Sequence, residues 1–235
     1  MTTSGLGWGE ATGGAKSSSV TYMKFKNGDQ QVRIVSGVLA RYDYWVPNKE
    51  GKNVPFENLS FDRLEERFLK GAENPVDELG LMEKDTENKG KMRRMRSKRA
   101  YKCMVINRET GKLEAMDLKK SIFDGIVATM QELGVKDPTE IDFVIKRTGD
   151  AWYEVKYEIN QIKTMKLQAK APELHANDAE LIEGMKPLDE LFPRSNPSEQ
   201  RKALAAWMSG SGAKSAGGEA KTDTSANEAV SELDS

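Results

Sequence analysis

Tyr101-Lys102-Cys103-Met104-Val105-Ile106-Asn107, then Arg108-Glu109-Thr110-Gly111, then Lys112-Leu113-Glu114-Ala115-Met116-Asp117-Leu118, reads as two strands joined by a tight turn, and this hairpin decides the fold class. A helix follows at once. Ile122, Phe123, Ile126, Val127, Met130 and Leu133 recur at helical spacing on one side, Ser121 or a neighbour can cap the start, and Gly134 ends it. Downstream, Ile141 to Arg147 and Trp152 to Gln161 alternate as strands around the turn Thr148-Gly149-Asp150. Upstream, Gln31 to Val35 follows the turn signal Asn27-Gly28-Asp29, and Tyr42 to Val46 follows Ser36-Gly37, so these two strands are expected to form a first hairpin. Between the hairpins, Phe61, Leu64, Phe68 and Leu69 have helical spacing, and the polar stretch to Gly90 reads as an excursion from the sheet.

Five or six strands with one well-marked helix between the later pairs give a mainly β, α+β chain whose element list is that of an OB-type barrel. Other small barrels and α+β sheets would give a similar list. The expected layout is a flexible arm over 1–19, a core over 20–165 with an insertion at 56–90, a helical extension over 166–208 and a linker with an acidic tip over 209–235. The extension is punctuated by Pro172, Pro187, Pro193 and Pro197, and Ser198 can cap a last helix that contains Leu204 and Trp207.

Of the 235 residues 37% are hydrophobic and 31% charged, enough for one core but not for a chain that is globular throughout. The formal net charge of -1 conceals an uneven distribution: cations crowd between Lys89 and Lys102, whereas Asp223, Glu228, Glu232 and Asp234 are the charged residues after Thr222. One cysteine, Cys103, excludes an internal disulfide, and with His175 as the sole histidine the usual ligands of a structural zinc are missing. No apolar run approaches the roughly 20 residues that span a bilayer, and the start lacks the hydrophobic stretch of a signal peptide. The expectation is a protein of the cytoplasm, without metal, cofactor or membrane.

The densest chemical signal is the run Lys89-Gly90-Lys91-Met92-Arg93-Arg94-Met95-Arg96-Ser97-Lys98-Arg99-Ala100-Tyr101-Lys102. Local acids cannot pair so many cations, so the run must face water or a polyanion, and it opens a strand that begins with an aromatic ring. Arg41-Tyr42-Asp43-Tyr44-Trp45 and Lys146-Arg147 with Trp152-Tyr153 and Lys156-Tyr157 repeat the association of rings with cations. Bases of an unpaired strand stack on such rings for roughly 1–3 kcal/mol each while Lys and Arg neutralise phosphates, and neither contact selects a base. Arg93, Arg94, Arg96, Lys98, Arg99, Tyr101, Lys102, Arg41, Tyr42, Tyr44, Trp45, Lys146, Arg147, Trp152 and Lys156 are therefore candidates for one common channel. Alternation places Tyr153, Val155, Tyr157 and Ile159 on one side, read as core, and Trp152 on the other; for Tyr42 and Tyr44 against Trp45 the inward side stays open.

Val32-Arg33-Ile34 followed by an aromatic strand, Lys98-Arg99-Ala100-Tyr101 leading to Val105-Ile106-Asn107-Arg108, Lys119-Lys120-Ser121-Ile122-Phe123-Asp124-Gly125-Ile126, and Phe143-Val144-Ile145-Lys146-Arg147-Thr148-Gly149 occur in this order over about residues 22 to 165. In this the chain resembles the single-stranded DNA-binding proteins of T4-type bacteriophages. The resemblance implies an OB-fold core that coats single-stranded DNA during replication, recombination and repair, with Arg33 among its DNA contacts. It also implies an acidic tail, here Glu228, Glu232, Leu233 and Asp234, that recruits replication proteins such as a polymerase, helicase, primase or recombinase. Where many members carry a Cys-x-x-Cys, this chain has Asn74-Pro75-Val76-Asp77-Glu78-Leu79, so zinc is not carried over. Self-association on DNA stays open, because Lys16-Ser17-Ser18-Ser19 holds a single cation.

A nuclease would need a carboxylate cluster, for which Asp43, Glu57, Asp62, Asp77 and Glu78 are numerous enough but follow no motif set into strand ends. Cys103 lies inside an apolar strand, where a thiol is core, and His175, between prolines in a polar region, is expected to be exposed. No enzyme activity is expected. The competing readings are a phage transcription cofactor or an RNA-binding barrel using the same groove, and a scaffold that binds no oligonucleotide.

Overall fold

The computed structural model describes residues 20–85, 87–150 and 154–210. Strand β1 (Gly28–Ile34) runs into β2 (Leu39–Pro47), which pairs with β3 (Asn53–Glu57). An insertion follows, with the two-residue strands β4 (Phe61–Asp62) and β5 (Arg67–Phe68), helix α1 (Pro75–Glu78), and the hairpin of β6 (Met82–Lys84) and β7 (Met92–Arg94). Then come β8 (Lys98–Asn107), β9 (Lys112–Leu118), α2 (Lys120–Leu133), β10 (Asp142–Thr148) and β11 (Lys156–Ile159). The chain ends in α3 (Gln161–Gln168), α4 (Ala171–Ala176), α5 (Ala179–Glu183), α6 (Leu188–Leu191) and α7 (Pro197–Ser209).

The β8–β9 hairpin forms as expected, in register from Tyr101 opposite Leu118 to Asn107 opposite Lys112. The expected hairpin of β1 with β2 does not. Both strands lie end to end along one edge of β8, β2 against Lys98 to Lys102 and β1 against Val105 to Asn107. Ser36-Gly37 marks a bend in that edge, where Val35 N donates to Met104 O at 3.0 Å and Met104 N donates to Ser36 Oγ at 2.8 Å. The seven-stranded antiparallel sheet runs β11-β10-β1-β8-β2-β3, with β9 on the other side of β8. It is not closed: β3 and β11 are its ends, and Pro55, which has no N–H to offer, sits in the edge strand β3. The expectation of a mainly β chain with helices stands as an α+β arrangement; the sheet does not close, and its pairing does not by itself show the OB-type barrel.

Residues directly opposite in an antiparallel ladder share a face, and that parity divides the molecule. On the front, Val32, Ile34, Cys103, Val105, Met116, Phe143 and Ile145 bury against Ile122 and Ile126 of α2. On the back, Leu39, Met104, Ile106 and Ala115 are covered by Phe192 and the partly buried Leu181, Ile182 and Leu188 of the C-terminal segment. Beyond β2 the chain returns to the front, where Leu204 of α7 packs with Tyr44, Val46, Phe56, Val76 and Met95, and Trp207 Nε1 donates to Val46 O at 2.9 Å. Each Val, Leu, Ile, Met or Phe among them contributes about 1.5–3 kcal/mol on burial.

Three local readings change. Residues 61–68 form a hairpin, with Phe61 opposite Phe68 and Asp62 opposite Arg67, because the Asp62 carboxylate accepts from Leu64 N and Glu65 N and closes a turn that a helix would forgo. Helix α2 starts from Lys119 without a side-chain cap, and Ser121 Oγ is buried without a hydrogen-bond partner among the described residues; Gly134 ends it in the left-handed conformation, as expected. In α7 the cap is Asn196, in a capping box with Glu199 across Pro197, not Ser198. Gly125 lets α2 approach β11: a Cβ there would stand 2.7 Å from Ile159 Cγ1. Gly125→Ala is expected to cost about 1–3 kcal/mol, read as a lower thermal midpoint.

Candidate nucleic-acid interface

On the front face, the core under α2 and the core under α7 leave a strip of sheet between them. Alternation along β8 turns Arg99 and Tyr101 to this side, and the register sets Tyr42 of β2 directly opposite Arg99. Tyr101 stacks on Phe123 of α2, centroids 4.9 Å apart and planes 7° from parallel, while the Arg99 guanidinium lies 4.8 Å over the Tyr101 ring. Burial raises the pKa of the Tyr101 phenol, against the opposing effect of Arg99. From the other side, the β4–β5 hairpin brings Phe61 and Phe68 to Tyr42, with centroids 4.7 and 4.8 Å from its ring. Phe61 is buried and anchors the cluster; Phe68 is 50% exposed. The result is a continuous stripe, Phe123, Tyr101, Arg99, Tyr42 and Phe68, built from helix, sheet and insertion.

The connection into β8 adds cations. Met95 is buried against Leu204, so alternation leaves Arg94 and Arg96 exposed on either side of it, neither with an ion-pair partner among the described residues. Arg93 turns the other way and is held by Glu83 at 2.9 Å and by Asp85 at 3.7 Å. Among the described residues no group of His, Cys, Asp or Glu is placed to hold a metal ion, and no helix is long and apolar enough to cross a membrane.

One relative bears on the ligand of such a stripe. Over 257 aligned positions, covering 97% of this chain and 98% of the other, the sequence is 35% identical to the "Probable ssDNA-binding protein" of Escherichia phage T5. The chain belongs to that family. No family model matches the sequence. No solved structure matches it. The T4-type resemblance therefore holds at the coarser level of phage single-stranded DNA-binding proteins.

For this member of the phage ssDNA-binding family, the structure brings together only part of the expected channel. Arg99, Tyr101 and Tyr42 meet on the front. Arg33, Arg41, Trp45, Lys98, Lys102, Lys146 and Lys156 have the opposite parity and belong to the back. Lys102 is buried 4.3 Å over the Tyr22 ring and 5.3 Å from that of Phe192, donates to Tyr22 Oη at 2.6 Å and pairs with Asp117 at 3.1 Å. Arg41 pairs with the buried Asp43 at 2.9 Å, and burial raises the Asp43 pKa despite that partner. Lys146 pairs with Glu158 at 3.1 Å, and Lys156 is exposed.

Tyr44, although on the front, is core. Its hydroxyl donates to Asp77 at 2.8 Å and accepts from Asn58 at 2.9 Å and Asn74 at 3.1 Å, and burial with the Asp77 bond pushes its pKa up to about 12. Arg147 lies at the far end of the front, donating to Asn27 Oδ1. Trp152 and the tail residues Glu228, Glu232, Leu233 and Asp234 lie outside the described residues.

Two groups went unread in the sequence. Phe61, Phe68 and Phe123 complete the stripe; an apolar pair seven apart fits a hairpin as well as two helical turns, which was the available signal. On the back, Arg108 pairs with Asp142 at 2.7 Å and also with Asp178, Arg33 pairs with Asp178 at 2.7 Å, and His175 Nε2 lies 2.9 Å from Asp142. His175 is therefore half-buried and engaged rather than exposed, and Arg33 is committed to fastening the C-terminal segment.

Proposed function

We propose that this protein binds single-stranded DNA without base selectivity, stacking bases along the front-face stripe while Arg99, Arg94 and Arg96 neutralise phosphates. The observation that carries the reading is the run of rings from α2, β8, β2 and the β4–β5 hairpin, with the Arg99 guanidinium over Tyr101 and Phe68 left half exposed. The T5 relative's name supports the same ligand. In this reading the protein performs no catalysis and coats unpaired strands during phage replication, recombination and repair. The acidic tip recruits replication proteins and competes with DNA for the exposed cations, since it gathers Glu228, Glu232 and Asp234 in a chain whose net charge is nearly balanced.

The test is a titration of the full chain with oligo-dT, duplex DNA and RNA at low and high salt. Expected are preference for the unpaired DNA strand and a linear fall of log affinity with log salt, at a slope of about -0.7 per phosphate neutralised. A version ending at Ser209 is expected to bind more tightly at low salt. Salt-independent binding would remove the groove model, and equal binding of RNA would favour the transcription or RNA-binding readings.

A further inference from the structure

Arg99 is the central cation of the stripe, and its guanidinium already holds an acid. Its guanidinium donates to Glu66 Oε2 at 2.8 Å, with the side chains 41% and 53% exposed. Glu66 sits at the end of the β4–β5 turn, one residue before the strand that carries Phe68. It is also the one non-glycine residue at positive φ among the described residues, at 46°. A glutamate in that conformation is strained by its Cβ, and neither Asn, Asp nor Gly stands there to relieve it. The strain persists because the rest of the hairpin is fixed: Asp62 closes the turn at one end, and Phe61 and Phe68 lock onto Tyr42 at the other.

We infer that Glu66 is a built-in surrogate for a phosphate, holding Arg99 and the β4–β5 hairpin over the stripe until a phosphodiester of the DNA strand displaces it. The chemistry of the exchange is balanced. A carboxylate and a phosphodiester each carry one negative charge and offer two oxygens to the same guanidinium face, so the incoming phosphate replaces the bond it breaks. The exchange removes the tie between Arg99 and the hairpin, so that Phe68, half exposed at its edge, can meet a base while Phe61 keeps the turn anchored on Tyr42. The arrangement has a further effect: with Arg99 masked, the stripe presents less positive charge to anions that bring no base to stack, so binding depends on rings and cation together.

This inference rests on the stripe being the DNA site, and the test separates the two. Wild type, Glu66→Gln, Glu65→Gln, Arg99→Gln and the double variant Glu66→Gln/Arg99→Gln are titrated with the same labelled oligo-dT at low and high salt. Glu65 is the control, an acid on the same turn that pairs with Arg67 and not with Arg99. Expected is roughly three- to fivefold tighter binding by Glu66→Gln at low salt, the scale of one half-exposed ion pair, shrinking as salt screens it. Glu65→Gln is expected to stay within about twofold of wild type, and the gain from Glu66→Gln is expected to vanish on the Arg99→Gln background, as for two groups acting through one contact.

Unchanged or weaker binding by Glu66→Gln, an equal gain from Glu65→Gln, or a gain that survives without Arg99 would overturn the surrogate role while leaving the stripe intact. An Arg99→Gln protein that binds as tightly as wild type would instead remove the stripe as the site.

Discussion

Replacing Tyr101 by leucine and Phe68 by alanine in one chain weakens oligo-dT binding at least about thirtyfold at constant salt, with the fold retained. The size follows from removing two stacking surfaces, each worth roughly 1–3 kcal/mol, at about 1.4 kcal/mol per decade of affinity. Leucine keeps the bulk with which Tyr101 packs on the front core and on Phe123, and Phe68 is half exposed, so neither change opens a large cavity. Fluorescence anisotropy of a labelled strand measures the loss, and the thermal midpoint shows that folding survives. Because the rings carry no charge, the salt slope should stay close to that of wild type even as affinity falls, whereas loss of Arg94 and Arg96 would flatten it. A double variant that binds within about threefold of wild type would mean the strand lies elsewhere.

The second large effect is on stability and comes from the back. Asp142 has no exposed side-chain surface and Asp178 nearly none, and Arg108 serves both. Burial works against the charge of Asp178, but hydrogen bonds from Arg108 and Arg33 outweigh it and hold its pKa below the usual carboxylate range. Arg108→Met keeps the apolar stem and removes the donors, leaving Asp142 with only His175. Breaking one partner out of a buried ion network costs about 3–5 kcal/mol, and about 3 is expected here because Arg33 still serves Asp178.

Urea denaturation at neutral pH reads that deficit. Since the lowered pKa of Asp178 contributes stability that is complete above the ordinary carboxyl range and disappears as pH falls through the lower native value, the gap between wild type and variant should narrow in strong acid. DNA affinity should not change, because the network lies across the sheet from the stripe. A loss below about 1 kcal/mol would show that the two carboxylates reach solvent or other donors.

The parts of the fold visible in the sequence are those ruled by local period. Alternation from Tyr101 to Leu118 yields β8 and β9, the spacing of Ile122, Ile126 and Met130 with Gly134 yields α2, and the exposure of Lys156 follows the expected alternation, whereas Asp142 to Ile145 of β10 are buried without a break. What the period cannot carry is partner choice. Ser36-Gly37 announces a change of direction, but only the hydrogen bonds to Met104 decide that β1 and β2 share an edge.

The site was legible in the same measure. Arg99, Tyr101 and Tyr42 stood out as ring and cation neighbours, and the register unites them. Lys102 looked equivalent to Arg99, yet parity sends it to the other face, where Tyr22 and Phe192, distant in the chain, enclose it. Composition counts cations; it does not say which of them already hold an acid.

Strand β8 thus serves two clients with alternate residues, and its length cannot drift. One residue gained or lost between Arg99 and Lys102 would turn the ring inward and send the lysine outward, undoing the reading surface and the seal of the C-terminal segment together. Evolution in this lineage should accordingly tolerate changes of turn length at Arg108 to Gly111 far more readily than a single indel between Arg99 and Lys102.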